Sequence, residues 1–336
     1  MADDDALLCV THSPLVTRVC QAAIRQRNIP RNRVAWVGLR STLPPSTPGH
    51  LDLINDQLKN AIKRGNRSSY QEARNRLFSL LEQVLPGPFN VLLPHTNEPS
   101  YREILAHPRC RGWGFVEEGF TCMDWESRNQ SNLPWRRRLR DALRYRLAGA
   151  QPKRPMFDHA GSQFLGAYAL SPRGFAGMPQ RIDIRDHIPP FPDGEGRRLI
   201  LVLDSSYIHR GVIWNDYLEA LLDAATQLAP GHDALWLKFH FADLSINAHF
   251  QEIGHAWQRR GQTSTIQLLP ADFSIEDHLQ TNDTLLTGVS SLAYYAALSG
   301  LRAHSFAPAL NGCDLDQWSR RGLLPDDFIE TVPSVS

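Results

Sequence analysis

The chain has 336 residues, which is long for one average domain and sufficient for two domains that each bury a hydrophobic core. Its hydrophobic fraction of 42% and charged fraction of 21% are ordinary for a soluble globular protein. Because the formal net charge is only +1, overall charge does not favour a polyanion such as nucleic acid, and any electrostatic attraction must be local.

The amino terminus and the cysteines indicate the compartment. The opening residues MADDDALLCVTH lack the basic and apolar segments of a signal peptide. No apolar run reaches the roughly 18 residues of a membrane-spanning helix. We therefore expect a cytoplasmic protein. The five cysteines are scattered without a CxxC pair, which predicts free thiols and no zinc site; they are Cys9, Cys20, Cys110, Cys122 and Cys313.

The first half of the chain alternates predicted strands and helices. Short apolar runs predict strands at 6–10, 33–39, 89–94 and 112–120. Apolar residues at three- and four-residue spacing predict helices at 15–24, 52–64 and 69–85. This alternation is typical of a parallel sheet with helices on both faces.

The pattern changes after residue 124. Residues 124–160 form a predicted insertion, in which 135–147 is a basic helix with Trp135 and three leucines on one side. Residues 171–197 are rich in proline, glycine and charge and predict an interdomain linker.

A second set of strands and helices follows. Strands are predicted at 198–204, 234–241 and 264–270, with a strand, a turn and a helix over 284–301 and a last strand at 302–308. Helices are predicted at 214–229 and, as a short element, at 273–279. We expect two Rossmann-like domains, 1–185 and 186–336, that face each other across a cleft with the site at the carboxyl ends of the strands.

The first candidate segment is Glu117-Glu118-Gly119, which follows the fourth predicted strand. Two acids before a glycine leave one carboxylate able to face the cleft, where it could act as general base on an acceptor hydroxyl. A solvated surface turn is the alternative interpretation, because acids beside glycine are common.

The second candidate pair is Lys238 and His240, on one face of an otherwise apolar strand. Together they could hold a phosphate and donate a proton to it as a leaving group. A partly buried histidine with a backbone partner is the alternative.

The third candidate segment runs from Thr287 and Gly288 to Ser290 and Ser291, immediately before a predicted helix. Hydroxyls and free backbone N–H groups at a helix amino terminus favour an anion. The alternative is an ordinary serine cap.

The order of these segments resembles the bacterial sialyltransferases and polysialyltransferases. Those enzymes carry a D/E-D/E-G motif in the amino-terminal domain, and KxHP-like and Ser-Ser motifs in the carboxy-terminal domain. The matching positions here are Glu117-Glu118-Gly119, Lys238-Phe239-His240 and Ser290-Ser291. The opening CVTHSPLVTRV is similar to the first strand and loop of the family, which would place Thr11 and Ser13 with Glu118 and Gly119 on the acceptor side. LLPADFSIEDHL resembles its nucleotide-binding loop, with Glu276 at the ribose position.

The resemblance implies a GT-B fold and an inverting transfer of a nonulosonic acid from CMP to a glycan hydroxyl, in capsule or lipopolysaccharide synthesis. Glu117 would be the general base, with Glu118 as the next candidate, and His240 the general acid. Ser290 and Ser291 would hold the phosphate, to which Lys238 adds positive charge. The resemblance implies an activated leaving group that demands no cofactor or metal.

Three alternatives stay open. A related GT-B transferase could use CMP-Kdo or a UDP- or GDP-sugar. Phe241 stands where the family has proline, which leaves room for a catalytically silent nucleotide- or glycan-binding protein. Arg136, Arg137, Arg138 and Arg140 could contact an anionic lipid surface at the inner membrane or an anionic acceptor, or form a solvated face. No nucleic-acid recognition module accompanies them.

Overall fold

A computed structural model describes residues 5–39, 42–43, 49–129, 134–209, 211–240, 242–270, 273–310 and 330–331. The chain divides into two compact units, Met1–Pro189 and Pro190–Ser336. The division therefore falls shortly after the boundary that the sequence predicts between residues 185 and 186.

Unit 1 is built on a parallel six-stranded sheet of order β2-β1-β3-β4-β5-β6. Its strands are β1 (Ala6–Thr11), β2 (Val34–Gly38), β3 (Phe89–Leu93), β4 (Cys110–Val116), β5 (Phe164–Ala169) and β6 (Arg181–Asp183). All residues of β3 are buried, as expected for a central strand covered on both faces.

Helices of unit 1 occupy the positions that the apolar spacing predicts, with additional short turns. They are α1 (Pro14–Gln26), α2 (Asp52–Arg64), α3 (Arg67–Val84), α4 (Pro99–Leu105), α5 (Phe120–Met123), α6 (Trp125–Asn129) and α7 (Trp135–Ala148). Ser13 caps α1 by accepting a hydrogen bond from the amide of Val16, and Pro14 starts the helix where no N–H is needed.

The predicted linker at 171–197 is wrong for most of its length. Phe175 and Met178 are buried in the core of unit 1, and residues 181–183 form the edge strand β6. Strand β5 was not predicted, because Gly166 interrupts its apolar pattern. Gly166 has a φ of +119°, and a Cβ there would lie 2.6 Å from the carbonyl oxygen of Gln180. The proline- and glycine-rich stretch 171–197 therefore contributes core side chains and an edge strand to unit 1.

Unit 2 has a second parallel six-stranded sheet, of order β12-β11-β10-β7-β8-β9. Its strands are β7 (Arg198–Val202), β8 (Ala234–Lys238), β9 (Ile266–Leu268), β10 (Thr284–Thr287), β11 (Arg302–Ser305) and β12 (Glu330–Thr331). The strand predicted last, β11, is thus followed by β12. The predicted α/β fold class with two parallel, Rossmann-like sheets is confirmed.

The helices of unit 2 are α8 (Ser206–His209), α9 (Trp214–Leu228), α10 (Ile246–Arg259) and α11 (Ser291–Leu298). The short helix predicted at 273–279 is wrong, because the described residues there form turns, with Asp283 accepting from the amide of Gln280 and from Arg198. Buried side chains of α9, including Tyr217 and Leu221, pack with β7 and β8 in the core of this unit.

Both sheets reverse their strand order at one point, which locates candidate sites. In unit 1 the reversal lies between β1 and β3, and in unit 2 between β7 and β10. Loops leaving neighbouring strands there turn to opposite faces of the sheet and open a crevice at the carboxyl ends. Cys9, Cys20, Cys110 and Cys122 are free thiols, and Cys313 lies outside the described residues.

Candidate active site

Glu117 and Glu118 follow β4 directly, and their side chains have different surroundings. Glu117 is fully buried. Its Oε2 accepts hydrogen bonds from the amides of Leu170 at 2.7 Å and Ser171 at 2.9 Å, and its Oε1 accepts from the Ser171 hydroxyl at 2.5 Å. The Glu117 carboxylate therefore binds the loop that follows β5, as an acceptor for groups that would otherwise be buried without partners.

Two glycines permit this arrangement. Gly119 has a φ of +118°, a conformation that L-residues with a side chain rarely adopt, so the chain can turn into α5 directly after the two acids. A Cβ on Gly174 would lie 2.3 Å from the Glu117 carboxylate. Gly174 thus leaves the space that the buried carboxylate occupies.

Glu118 lies beside two histidines at the reversal point of the first sheet. Its Oε2 is 3.1 Å from Nε2 of His12, which follows β1, and 3.7 Å from Nε2 of His95, which follows the β3 end. Only 6% of the Glu118 side chain is exposed, and both histidines are buried or nearly so. The carboxyl ends of β1, β3 and β4 therefore bring one carboxylate and two imidazoles together.

His12 is held by the loop that starts α1. Thr11 is buried, and its hydroxyl bonds to the Ser13 carbonyl and to the hydroxyl of Thr17. Nδ1 of His12 lies 3.4 Å from the hydroxyl of Tyr101. Thr11 and Ser13, which the sequence suggested for acceptor contact, thus form the turn that directs His12 toward Glu118.

His95 has a defined tautomer. The amide of Asn97 donates to its Nδ1 at 3.2 Å, so the proton of the neutral ring is on Nε2, the atom nearer Glu118. The buried guanidinium of Arg102 donates to the carbonyls of Thr96 and Asn97 at 2.9 and 2.8 Å and so holds this loop in place. The protonated Nε2 of His95 thus lies 3.7 Å from Oε2 of Glu118, beyond direct hydrogen-bond distance.

The same three side chains have a spacing that a metal ion could use, because their ligand atoms lie within 4.8 Å of one another. A histidine binds a metal through an unprotonated nitrogen while its other nitrogen donates to a partner. At His95 the backbone amide of Asn97 already donates to Nδ1, which leaves the proton on Nε2. In this tautomer, Nε2 of His95 is therefore not available as a metal ligand.

Sequence reasoning singled out neither His12 nor His95. Both carry the signal that identified Glu117 and Glu118, since His12 comes directly after the buried strand β1 and His95 comes two residues after the end of β3. Thr11-His12-Ser13-Pro14 reads first as a helix start, and His95 is hidden between Pro94 and a polar loop.

In unit 2, Asp204 organises the loop between β10 and α11. Its Oδ2 accepts from the amide of Val289 at 2.7 Å, and its Oδ1 accepts from the amide of Ser206 at 2.6 Å. A Cβ on Gly288 would lie 2.1 Å from Oδ2, so this position requires glycine. The carboxylate of Asp204 thus occupies part of the anion-binding loop that the sequence predicts.

The hydroxyl residues of that loop have separate tasks. Thr287 is buried at the end of β10. Ser290 caps α11 by accepting from the amide of Leu292 at 3.2 Å, and Ser291 is the first residue of the helix. The structure therefore brings Thr287, Gly288, Ser290 and Ser291 together at one helix start, beside Asp204.

His240 lies just beyond the carboxyl end of β8. The amide of Ala242 donates to its Nδ1 at 3.2 Å, so the proton of the neutral ring is on Nε2. Burial lowers the pKa of His240, and this exceeds the opposing effect of the Asp204 charge. Phe241, the departure from the family pattern, lies outside the described residues.

Lys238 is the last residue of β8, and Glu276 lies in the turn region that follows β9. Lys238 Nζ donates to the carbonyl of Pro270 at 2.5 Å. Burial raises the pKa of Glu276, while the charge of Lys238 acts in the opposite direction. The Lys238 ammonium group therefore acts on Glu276 through its charge, while it donates a hydrogen bond to the carbonyl of Pro270.

No protein-family model matches the chain, and no curated protein matches it. Among solved structures, the GT-B domain of a sialyltransferase from Photobacterium damselae is 12% identical with a TM-score of 0.47, over 97% of this chain and 99% of that one. A UDP-GlcNAc 2-epimerase from Methanocaldococcus jannaschii, solved with UDP-GlcNAc and UDP, is 10% identical with a TM-score of 0.47, over 97% and 88%. Similarity at this level assigns neither a family nor an activity.

The substitution Glu117→Gln should destabilise unit 1 by about 2 kcal/mol, because an amide cannot accept from both the backbone amides and the Ser171 hydroxyl. Urea denaturation measures the change. Glu126→Gln, an exposed acid of the same unit, is the matched control and should shift stability by less than about 0.5 kcal/mol. Equal stability of the two variants would contradict a structural role for Glu117.

The imidazole of His240 should titrate below 6.5, because burial disfavours its charged form. The unfolded chain then binds this proton at higher pH than the folded chain, so His240 costs stability as the pH falls below 6.5. An NMR titration, with the His240 resonance identified by its loss in His240→Asn, measures the midpoint. A midpoint at or above 6.5 would contradict the geometry described for the ring.

Proposed function

We propose that this chain is an inverting, metal-independent glycosyltransferase that moves sialic acid, or a related nonulosonic acid, from a CMP-activated donor to a glycan hydroxyl. The observation that carries the proposal is the placement of Glu118 between His12 and His95 at the reversal point of the first sheet. The order of the acidic, histidine and double-serine motifs along the chain supports the choice of donor.

Glu118 is assigned as the general base. A base must reach the proton of the acceptor hydroxyl, at about 2.6–3.2 Å between heavy atoms. Glu117 is poorly suited, because both of its oxygens accept hydrogen bonds within the fold. Nε2 of His12 and Nε2 of His95 lie 3.1 and 3.7 Å from Oε2 of Glu118, so both imidazoles border the proposed base.

His240, Ser290 and Ser291 are assigned to the donor phosphate. A neutral imidazole with its proton on Nε2 donates a hydrogen bond to a phosphate oxygen without adding a full charge. The lowered pKa of His240 and the amide of Ala242 both disfavour the imidazolium, so the ring is assigned as a hydrogen-bond donor to the leaving group. Lys238, Glu276, Thr287 and Gly288 shape the surrounding nucleotide site.

The reaction balances without a further reagent. The acceptor oxygen forms a bond to the anomeric carbon while the bond from that carbon to the CMP phosphate oxygen breaks. The acceptor proton passes to the Glu118 carboxylate, and the electron pair of the broken bond leaves with CMP.

The decisive experiment incubates the protein with CMP-sialic acid and a panel of labelled galactosides and sialosides, in EDTA, with products read by mass spectrometry. We expect a sialylated product that grows with time. Parallel incubations with CMP-Kdo, UDP-sugars and GDP-sugars test the other donors. Product from one of those alone would move the assignment to that donor, and binding of CMP without any transfer or donor hydrolysis would indicate a silent binding protein.

Glu118→Gln should reduce kcat by about 10²–10⁴-fold, because the amide cannot take the acceptor proton. CMP binding, measured by calorimetry, should be unchanged, since Glu118 belongs to the acceptor side of the proposal. Glu126→Gln is the control and should retain activity. Near-full activity of Glu118→Gln would contradict the assignment of Glu118 as the general base.

A further inference from the structure

Helix α7 presents an apolar stripe to solvent. Trp135, Leu139, Leu143 and Leu147 recur every four residues, and their exposed fractions are 68%, 63%, 54% and 55%. Four large apolar side chains in a row on one helix are unusual for a surface without a partner, where single exposed apolar residues are the norm. The stripe, defined as these four residues, therefore requires an explanation.

Most of the stripe lies opposite the side of α7 that packs on unit 1. Ala148 is buried against α2 and α3, and the hydroxyl of Tyr145 accepts from the buried Arg102 at 2.9 Å. At 3.6 residues per turn, Tyr145 and Ala148 lie about half a turn from the centre of the stripe. Leu147 lies against Gly65 at the end of α2, where a Cβ on the glycine would be 3.2 Å from Cβ of Leu147. Trp135, Leu139 and Leu143 remain more than half exposed, so most of the stripe is open to solvent.

Basic side chains surround the stripe. The same helix geometry places Arg136 and Arg146 within the angular range of the stripe and Arg140 at its edge. Arg137 and Arg138 lie about 140° and 120° from the centre of the stripe, toward the opposite side of the helix. Within the described parts of the chain, none of the six arginines of α7 forms an ion pair, although the whole chain has 36 basic and 35 acidic residues.

We propose that α7 docks on an anionic lipid surface. An arginine-rich helix with tryptophan and leucine on one face lies in the membrane interface, with the apolar side chains inserted and the guanidinium groups at the headgroups. Trp135 suits the interface, because its ring is apolar and its N–H is polar. At 14 residues, α7 is about 21 Å long, and it lies along the surface without crossing it. None of the described helices is long and apolar enough to span a bilayer.

Two other occupants fit less well. A second copy pairing stripe to stripe would bring the arginines of two helices together, and like charges at close range are unfavourable. A soluble polyanion would bind the arginines and leave the four apolar side chains in water. An anionic bilayer uses both features of the helix, and this inference is independent of the proposed transferase activity.

Vesicle sedimentation tests the proposal with the full chain. Vesicles of phosphatidylcholine with 30% phosphatidylglycerol should sediment the protein at low salt, whereas vesicles of phosphatidylcholine alone should sediment much less. Binding should weaken as salt is added, since the attraction of the arginines is screened. Absence of binding to the anionic vesicles would overturn the proposal.

Paired variants separate the two contributions. Arg136→Gln with Arg140→Gln should weaken partitioning by about 25-fold, at roughly fivefold for each charge. Leu139→Ser with Leu143→Ser should weaken it by at least about tenfold through loss of insertion. The matched controls are Arg259→Gln and Leu244→Ser, two exposed positions of unit 2, and they should bind as the parent does.

Light scattering and heparin binding complete the test. Thermal unfolding should be unchanged in all variants, because every altered side chain is exposed. If light scattering shows that the parent is a dimer and that Leu139→Ser with Leu143→Ser is a monomer, the stripe belongs to an interface with a second copy and the proposal is overturned. The proposal would also be overturned if the arginine substitutions weakened vesicle binding while the leucine substitutions did not, and if the parent bound heparin as tightly as it binds the vesicles. That outcome would assign the helix to soluble polyanions.

Discussion

The hydrogen bonds that bury Glu117 determine the geometry of the first unit's candidate site. Two adjacent acids at the end of a strand cannot both face the same side, because successive side chains point in opposite directions. Because the amides of Leu170 and Ser171 hold the Glu117 carboxylate, the Glu118 side chain lies at the carboxyl ends of β1 and β3. His12 and His95 are at the same place. The structural acid and the proposed catalytic acid are thus neighbours with separate roles.

The two candidate regions share a local device for defining a histidine tautomer. At His95 and at His240, the amide two residues later donates to Nδ1 and leaves the proton of the neutral ring on Nε2. The same turn occurs at His107, away from both regions, so the device alone does not mark a site. Its effect depends on what lies beside Nε2, which is the Glu118 carboxylate for His95 and, in the proposal, a phosphate for His240.

Charge in this protein is organised locally. Asp204 lies under the loop before α11 and limits that loop's capacity for anions, while its charge raises the pKa of His240 against the larger effect of burial. On the other unit, α7 concentrates arginines around an exposed apolar stripe. A net charge of +1 conceals both arrangements, because it sums groups that do not interact.

Apolar periodicity and turn chemistry were sufficient to predict two parallel α/β sheets, most strand and helix positions, and the acid-rich segment at 117–119, because these depend on neighbours along the chain. Strand β5 and edge strand β6 were not predicted, because Gly166 and the composition of 171–197 are locally typical of a linker. These residues adopt strand geometry only by pairing with neighbouring strands. Which of Glu117 and Glu118 is buried, and that His12 and His95 join Glu118, was decided by tertiary structure alone. Those contacts link residues far apart in sequence, and no local pattern encodes which strand ends meet.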